Sequence, residues 1–133
     1  MNQSEFQEQL AIDLNGFHFD PLGYVMYAFP WGEGELENSN GPRKWQAEVL
    51  EEISRQLKKT KLVRIAVSSG HGIGKTTLTA MCQKWALETM VGTKAQCTAN
   101  TGQQLKTKTW SELSKWHRLS LTRELFEVTA TAF

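Results

Sequence analysis

Residues 62–77 read Leu-Val-Arg-Ile-Ala-Val-Ser-Ser-Gly-His-Gly-Ile-Gly-Lys-Thr-Thr, and this stretch decides the fold that the sequence predicts. Its first part, residues 62–67, is short and rich in β-branched side chains, which indicates a buried strand. Three glycines at alternate positions follow, and the apolar residues after Lys75 recur at helical spacing, at Leu78, Met81, Cys82 and Trp85. A strand, a glycine-rich loop and a helix that opens with Lys-Thr together predict a phosphate-binding P-loop.

The residue types in this loop suit the binding of a nucleoside triphosphate. Glycine lets backbone N–H groups approach the phosphates and adopts the positive φ angles that such a loop often needs. The helix that follows points its N-terminal amides and the positive end of its dipole at the same anion. Lys75 would reach the β- and γ-phosphates, and the hydroxyl of Thr76 would complete the coordination of Mg²⁺. The predicted ATP-binding residues of the loop are Ser69, Gly70, His71, Gly72, Ile73, Gly74, Lys75, Thr76 and Thr77, with Thr76 as the metal ligand.

One residue of the loop departs from the usual G-x-x-x-x-G-K-[ST] pattern, because Ser69 stands where the first glycine is expected. A small residue can still make that turn, so the departure does not remove the prediction. The alternative interpretation is a glycine-rich turn between a strand and a helix that binds nothing.

The rest of the chain predicts alternating helices and strands, which indicates an α/β fold with a parallel sheet. Residues 17–34 are dense in aromatic side chains and contain two prolines, so an irregular packed segment is expected there. The other expected elements are helices at 4–14, at 42–57, at 105–116 and near 121–126, and strands at 94–99 and 127–133. We divide the chain into residues 1–41, an N-terminal helix and aromatic-rich segment, and residues 42–133, a partial P-loop ATPase domain.

The composition suits a soluble globular protein, with 22% charged and 40% hydrophobic residues. No stretch approaches 18 apolar residues and no signal pattern opens the chain, so we expect a cytoplasmic protein without a membrane partner. Cys82 and Cys97 lack metal-ligand spacing and are expected to be reduced thiols. Residues 1–40 carry seven acidic and no basic residues, whereas residues 41–133 carry 15 basic and seven acidic residues, which is compatible with a polyanionic partner.

Gln46 is a further candidate binding residue, because it lies at the beginning of the helix that precedes the P-loop strand. Its amide offers a donor and an acceptor, which match the N6 amino group and N7 of adenine. The ordinary alternative for a lone glutamine is a solvated position on a helix surface.

Five segments together resemble the large terminase subunit of tailed bacteriophages and prophages. They are Asp20-Pro-Leu-Gly-Tyr24, Phe29-Pro-Trp-Gly32, Pro42-Arg-Lys-Trp-Gln46, Ser69-Gly-His-Gly-Ile-Gly-Lys-Thr76 and Thr98-Ala-Asn-Thr101 with Gln104. The resemblance extends along essentially the whole chain, and the Gly-His-Gly-Ile-Gly-Lys form of the loop is more specific than a bare P-loop.

This resemblance implies a helicase-like P-loop NTPase domain of the additional-strand type, with Gln46 as the residue that reads adenine. It implies ATP and Mg²⁺ as cofactors and the packaging of viral DNA by the complete motor. The portal and the small terminase subunit are the implied protein partners, in the cytoplasm of the bacterial host.

The sequence lacks the acidic residues that ATP hydrolysis by such a motor requires. The family uses a strand that ends in Asp-Glu to support Mg²⁺ and the attacking water. The two aspartates of this chain, Asp13 and Asp20, both precede the P-loop, and no acidic cluster typical of a nuclease is present. We therefore expect a truncated ATPase domain that binds nucleotide but neither hydrolyses ATP nor cuts DNA by itself.

Three functions remain open at this point. The favoured one is the ATP-binding part of a phage DNA-packaging motor; the second is another helicase-like P-loop NTPase, which would need a catalytic acid. The third is a vestigial prophage fragment or interaction module without activity. A parallel sheet with missing strands would expose unpaired backbone groups and apolar faces, so self-association is also expected.

Overall fold

The computed structural model describes residues 2–68, 74–90, 92–96, 101, 103 and 105–126, and in these ranges the regular structure is helical. The α-helices are α1 (Gln3–Asn15), α2 (Pro21–Ala28), α3 (Lys44–Thr60), α4 (Lys75–Thr89) and α5 (Ser111–Leu119). A short 3₁₀ turn covers Gly34–Leu36, and a π-helical turn at Leu105–Trp110 leads into α5.

The predicted parallel sheet is wrong for the described part of the chain, because none of those residues lies in a β-strand. Residues 62–68, predicted to form the strand before the P-loop, have neither helical nor strand structure, and the same is true of residues 94–96. The rest of the second predicted strand, residues 97–99, and the third, residues 127–133, lie outside the described residues. The α/β P-loop fold is therefore replaced by a helical architecture.

The bonding of residues 62–68 gives a physical reason for this correction. The Thr60 hydroxyl donates to the Leu62 carbonyl at 3.0 Å, and the Arg64 amide donates to Gln56 Oε1 at 3.0 Å. These partners are residues of α3 and not a neighbouring strand, and the Leu62 side chain is 59% exposed. A β-branched segment forms a strand when it can pair with a second strand and pack one face against the core. The β-propensity of such residues mainly reflects this packing environment.

Helix α1 confirms the predicted N-terminal helix but begins one residue earlier than expected. Its cap is Asn2, whose Oδ1 accepts from the Glu5 amide at 2.8 Å, while Glu5 Oε2 accepts from the Asn2 amide at 3.3 Å. This reciprocal pair is a capping box, which satisfies two backbone donors that have no partner inside the helix. The cap therefore lies two residues before Ser4, where the predicted helix begins.

Helix α2 was missed in the segment predicted to be irregular. Asp20 caps it by accepting from the Gly23 amide at 3.0 Å, and Pro21 occupies the first turn. Proline suits that position because its fixed φ is helical and its missing N–H would have had no partner there. The aromatic content of the segment hid this Asp-Pro start signal.

Helix α4 lies at the centre of the packing and contacts α1, α2 and α5. Apolar side chains from several helices form one buried core cluster, and Tyr24, Val25, Leu50, Met81 and Leu113 are among its most deeply buried members. The Trp85 indole also donates to the Phe17 carbonyl at 2.7 Å and so connects α4 to the turn after α1. Truncating such a core side chain typically costs about 2–5 kcal/mol.

The segment after α5, which was predicted to be helical near residues 121–126, is a turn that packs back against the end of α2. Residues 121–125 form turns instead, and the Leu121 amide donates to the Ala28 carbonyl at 2.8 Å. Beside this contact, the ring of Phe29 meets that of Trp116 edge to face with centroids 5.2 Å apart. Aromatic pairs prefer this geometry because the positive edge of one ring faces the negative face of the other.

A cleft of about 410 Å³ separates α3 from α4 and is flanked by both irregular segments that were predicted to be strands. Ile53, Leu57, Trp85 and Met90 are among its lining side chains. Cys82 also lines it as a free thiol, and burial raises the pKa of this thiol to about 11. Cys97 lies outside the described residues. None of the described helices is long and apolar enough to cross a membrane.

Candidate functional site

The structure describes the second part of the predicted nucleotide-binding loop. Ser69, Gly70, His71, Gly72 and Ile73 lie outside the described residues, so their predicted contacts with phosphate remain predictions. Gly74, Lys75, Thr76 and Thr77 are described, and they form the end of the loop and the first turn of α4.

Gly74 caps α4 in a conformation that favours glycine. Its φ is +94°, in the left-handed region, and its carbonyl accepts from the Leu78 amide at 3.0 Å. A Cβ at this position would come within 2.6 Å of Gln46 Nε2. Both the backbone angle and the close approach of a neighbouring side chain therefore select against any larger residue here.

Gln46 is the neighbour that approaches Gly74, although the two residues are far apart in sequence. Its Nε2 donates to the Gly74 carbonyl at 2.9 Å, and its Oε1 accepts from the Arg43 amide at 2.8 Å. The residue is 3% exposed, so it is not the solvated helix residue that the alternative interpretation expected. In this structure the amide joins the start of α3 to the start of α4.

These two bonds bear on the predicted role of Gln46 in reading adenine. The donor and the acceptor that would match the adenine edge are turned to Gly74 and Arg43. A buried amide keeps such partners because a lost bond leaves a polar group unsatisfied, at a cost of about 1–3 kcal/mol. Contact with adenine would therefore require a rearrangement of the α3–α4 junction, and the role stays a prediction.

The first turn of α4 exposes Lys75, while Thr76 and Thr77 are half-buried. Among the described residues no side chain caps this helix end. The terminal amides of a helix have no partner inside the helix, and together with its dipole they favour an anion at this end. The side chains predicted to meet phosphate and Mg²⁺ are thus gathered at an electropositive helix terminus.

Glu112 of α5 reaches this helix end, a contact that the sequence did not predict. Its Oε2 accepts from the Thr77 hydroxyl at 3.0 Å and from the Trp116 indole at 2.9 Å. The spacing of Glu112 and Trp116 on one helix face was a readable signal, but nothing in the sequence paired either residue with Thr77. A carboxylate is thereby fixed beside the predicted phosphate site.

The side chains of the described residues do not form a metal site of their own. No group of three or more His, Cys, Asp or Glu side chains in the described ranges is arranged to hold a metal ion. Thr76 therefore remains the predicted Mg²⁺ ligand, in a site whose other ligands would come from the nucleotide phosphates and water.

No family model, curated protein or solved structure matches this chain. The resemblance to the terminase large subunit consequently rests on the sequence segments quoted above.

Proposed function

We propose that this chain binds ATP with Mg²⁺ through residues 69–77, as the ATP-binding part of a DNA-packaging motor similar to the terminase large subunit. The observation that carries the proposal is the start of α4, where Gly74 at a φ of +94° leads into a first turn that bears Lys75 and Thr76 and has no side-chain cap among the described residues. The proposal rests on the loop and the first turn of α4, and it does not require the sheet.

Phosphate binding at this position has a direct electrostatic basis. A phosphate over the first turn of α4 would receive backbone N–H groups, the helix dipole and the Lys75 ammonium group. The positive φ of Gly74 turns the chain into α4 at the same point. An anion here would be held by one charged side chain, Lys75, and by several backbone donors.

The position of Glu112 adds a requirement for a cation. Its carboxylate lies against Thr77, so a bare triphosphate at this helix end would meet a like charge. A divalent cation between the phosphates and the protein removes that repulsion. We therefore expect nucleotide to bind with Mg²⁺, with the Thr76 hydroxyl as the ligand from the protein.

The proposed DNA partner has support in the charge of α5 and the turn before it. Lys108 and Lys115 are exposed, and Lys115 lies over the Trp116 ring at 5.3 Å. Arg118 is exposed as well, but it pairs with Glu35 at 3.1 Å. Exposed lysines can neutralise DNA phosphates, in which case binding weakens steeply with salt. Contacts with a portal and a small subunit belong to the same proposal, whereas the self-association expected from an incomplete sheet loses its basis, because none of the described residues forms a strand.

Nucleotide binding is tested by titrating a fluorescent ATP analogue in the presence and absence of Mg²⁺. Lys75→Ala should weaken binding about ten- to a hundredfold, since a hydrogen bond to a charged group contributes about 1.5–3 kcal/mol. Lys58→Ala, at an exposed lysine near the end of α3, is the matched control and should bind as the wild type does.

Competition identifies the part of the nucleotide that is bound. ATP and ADP should displace the analogue, whereas AMP should not, because the proposed site holds the β- and γ-phosphates. Equal affinity of Lys75→Ala and Lys58→Ala, or displacement by AMP as effective as by ATP, would overturn the proposal. A wild type that does not bind the analogue at all would favour the vestigial fragment.

A further inference from the structure

A buried polar cluster near the C-terminal end of α4 joins helices α2, α4 and α5. It consists of Tyr24 from α2, Lys84 and Glu88 from α4, and His117 from α5, and we call it the α4–α5 cluster. Lys84 Nζ lies 2.7 Å from Glu88 Oε2 and 2.7 Å from His117 Nδ1. The Tyr24 hydroxyl donates to Glu88 Oε2 at 2.8 Å. Lys84 is 0% exposed, so this ammonium group depends on protein partners.

The partners of His117 fix its protonation state. Nε2 lies 2.8 Å from the Phe126 carbonyl, which can only accept, so Nε2 carries the proton. Nδ1 faces the Lys84 ammonium group, which can only donate, so Nδ1 is bare and accepts. His117 is therefore neutral, and the charges of Lys84 and Glu88 balance each other.

Protonation of His117 Nδ1 would turn the attractive contact with Lys84 into a repulsive one. Two cationic donors would then face each other at the 2.7 Å separation that now holds a hydrogen bond. Glu88 is the carboxylate of the cluster, and its Oε2 already accepts from Lys84 and Tyr24. An imidazolium at this position would have to move away from α4 or displace Lys84 from its buried place.

The charged groups on the surrounding elements have other partners or lie on the surface. On α1, Asp13 accepts from Tyr27, and on α5 itself Glu112 is bound to Thr77 and Trp116. Arg118 pairs with Glu35, while Arg123 donates to the Ser120 carbonyl. Lys108 of the π-helical turn and Glu124 of the turn after α5 are exposed. Among the described residues, Glu88 is therefore the carboxylate whose charge acts on His117.

We propose that His117 is an acid-sensitive latch, which holds α4 to α5 and to the turn at 120–126 while its Nδ1 is unprotonated. The latch joins α4 at Lys84, α5 at His117 and the turn at Phe126 through two contacts of one ring, and protonation of Nδ1 breaks the one with Lys84. None of its residues belongs to the first turn of α4, and α5 reaches that turn separately, through Glu112 and Thr77.

The direction of the titration follows from the environment. Burial, followed by the nearby Lys84 charge, lowers the pKa of His117 below its ordinary value of about 6.5. For a base with a lowered pKa, the unfolded chain binds the proton first as the pH falls. The stabilising effect is therefore complete above about pH 6.5 and is lost progressively as the pH falls to the folded-state pKa.

The experiment is an NMR titration of the imidazole rings between pH 4.5 and 8, together with unfolding curves over the same range. The His117 ring should titrate below the ordinary histidine pKa. Amides of α5 and of the turn at 120–126 should shift with the same midpoint, while amides of α1 should not. The unfolding equilibrium constant should rise by up to about tenfold per pH unit within the window, the limit for one proton.

His117→Asn is the informative variant, because Asn Oδ1 can accept from Lys84 without titrating. It should lose the extra pH dependence, whereas His18→Asn, at a ring that lies outside the α4–α5 cluster and contacts the Asn15 carbonyl and Phe19, should keep it. Equal pH dependence in His117→Asn and the wild type, or a His117 pKa at or above the ordinary value, would refute the latch. If His117→Asn does not fold, the wild-type ring, assigned by replacing His18 and His71 in turn, gives the deciding pKa.

Discussion

Replacing Lys84 with Met tests how the centre of the fold tolerates a buried charge. The substitution keeps a long, flexible side chain but removes the ammonium group that lies between Glu88 and His117. Glu88 then keeps one partner on Oε2, the Tyr24 hydroxyl, while its Oε1 is buried with no hydrogen-bond partner among the described residues. The variant therefore leaves a buried carboxylate without its counter-charge.

The loss of folding free energy in Lys84→Met has an upper limit, because a buried carboxyl can take up a proton instead of staying ionised. Protonation at pH 7 of a carboxyl with an ordinary pKa near 4.3 costs about 4 kcal/mol, at 1.36 kcal/mol per pH unit. Breaking a buried ion pair by removing one partner typically costs about 3–5 kcal/mol, which agrees with that limit. We expect Lys84→Met to lower the free energy of unfolding by about 3–4 kcal/mol at pH 7.

The pH dependence of this loss separates charge from packing. Burial without a counter-charge favours the neutral form of a carboxyl, so the folded variant should take up a proton more readily than the unfolded chain does. The cost relative to the wild type should then shrink as the pH falls from 7 towards 5. Because Lys84→Met also removes the partner of His117 Nδ1, the comparison is made in the His117→Asn background, where a loss that came from packing alone would not change with pH.

The assay is urea denaturation followed by circular dichroism at pH 7 and pH 5. Lys58→Met, at an exposed position of α3, is the matched control and should change stability by less than about 0.5 kcal/mol. The double variant Lys84→Met/Glu88→Leu should recover part of the loss, because removing both charges is often close to neutral. A loss of less than about 1 kcal/mol at pH 7, or an equal loss at both pH values, would refute the reasoning.

Three further predictions concern the helix ends and the α4–α5 contact. Gly74→Ala should destabilise the protein by about 1–3 kcal/mol, because φ is +94° and Gln46 Nε2 blocks the Cβ; a neutral result in thermal unfolding would contradict this. Asp20→Ala should cost about 1 kcal/mol by removing the cap of α2, whereas Asp20→Asn, which keeps an acceptor for the Gly23 amide, should cost much less in the same denaturation assay. Glu112→Ala should cost about 1–3 kcal/mol by leaving Thr77 and Trp116 without their acceptor, with Glu124→Ala on the exposed turn as the control; equal midpoints for the two variants would exclude the expected role.

Part of the candidate site was accessible to sequence reasoning because its signals are local. Glycine followed by Lys-Thr and a helical apolar pattern predicted the start of α4, and the structure begins this helix at Lys75. Gln46 was selected from its chemistry and its position before the loop, and it lies in contact with Gly74. What its amide does there was not readable, because the bonds to Gly74 and Arg43 depend on how α3 meets α4.

The contacts that the sequence missed all join residues distant along the chain. Nothing in the sequence pairs Glu112 with Thr77, yet its carboxylate accepts from the Thr77 hydroxyl. The sequence does not predict the contact of His117 with Lys84 inside the fold either. Neither partner can be found from spacing, since both pairings arise from the way α5 packs on α4.

The sequence by itself determined where the chain forms helices. The apolar spacing of α3 and α4 is a local property of a helix, because residues three and four apart share one face whatever surrounds them. The Asp-Pro pair at the start of α2 and the capping residues of α1 act through bonds within a few residues, so they too are fixed locally.

Only the tertiary structure decided what residues 62–68 become and which charges are buried. A strand needs hydrogen-bond partners from another segment, and the backbone of 62–64 finds its partners on α3 instead. The ammonium group of Lys84 can be buried because it pairs with Glu88 and His117. The composition of the chain does not predict this pairing. Pairing of distant groups depends on the arrangement of the helices, and a sequence pattern reports only neighbours along the chain.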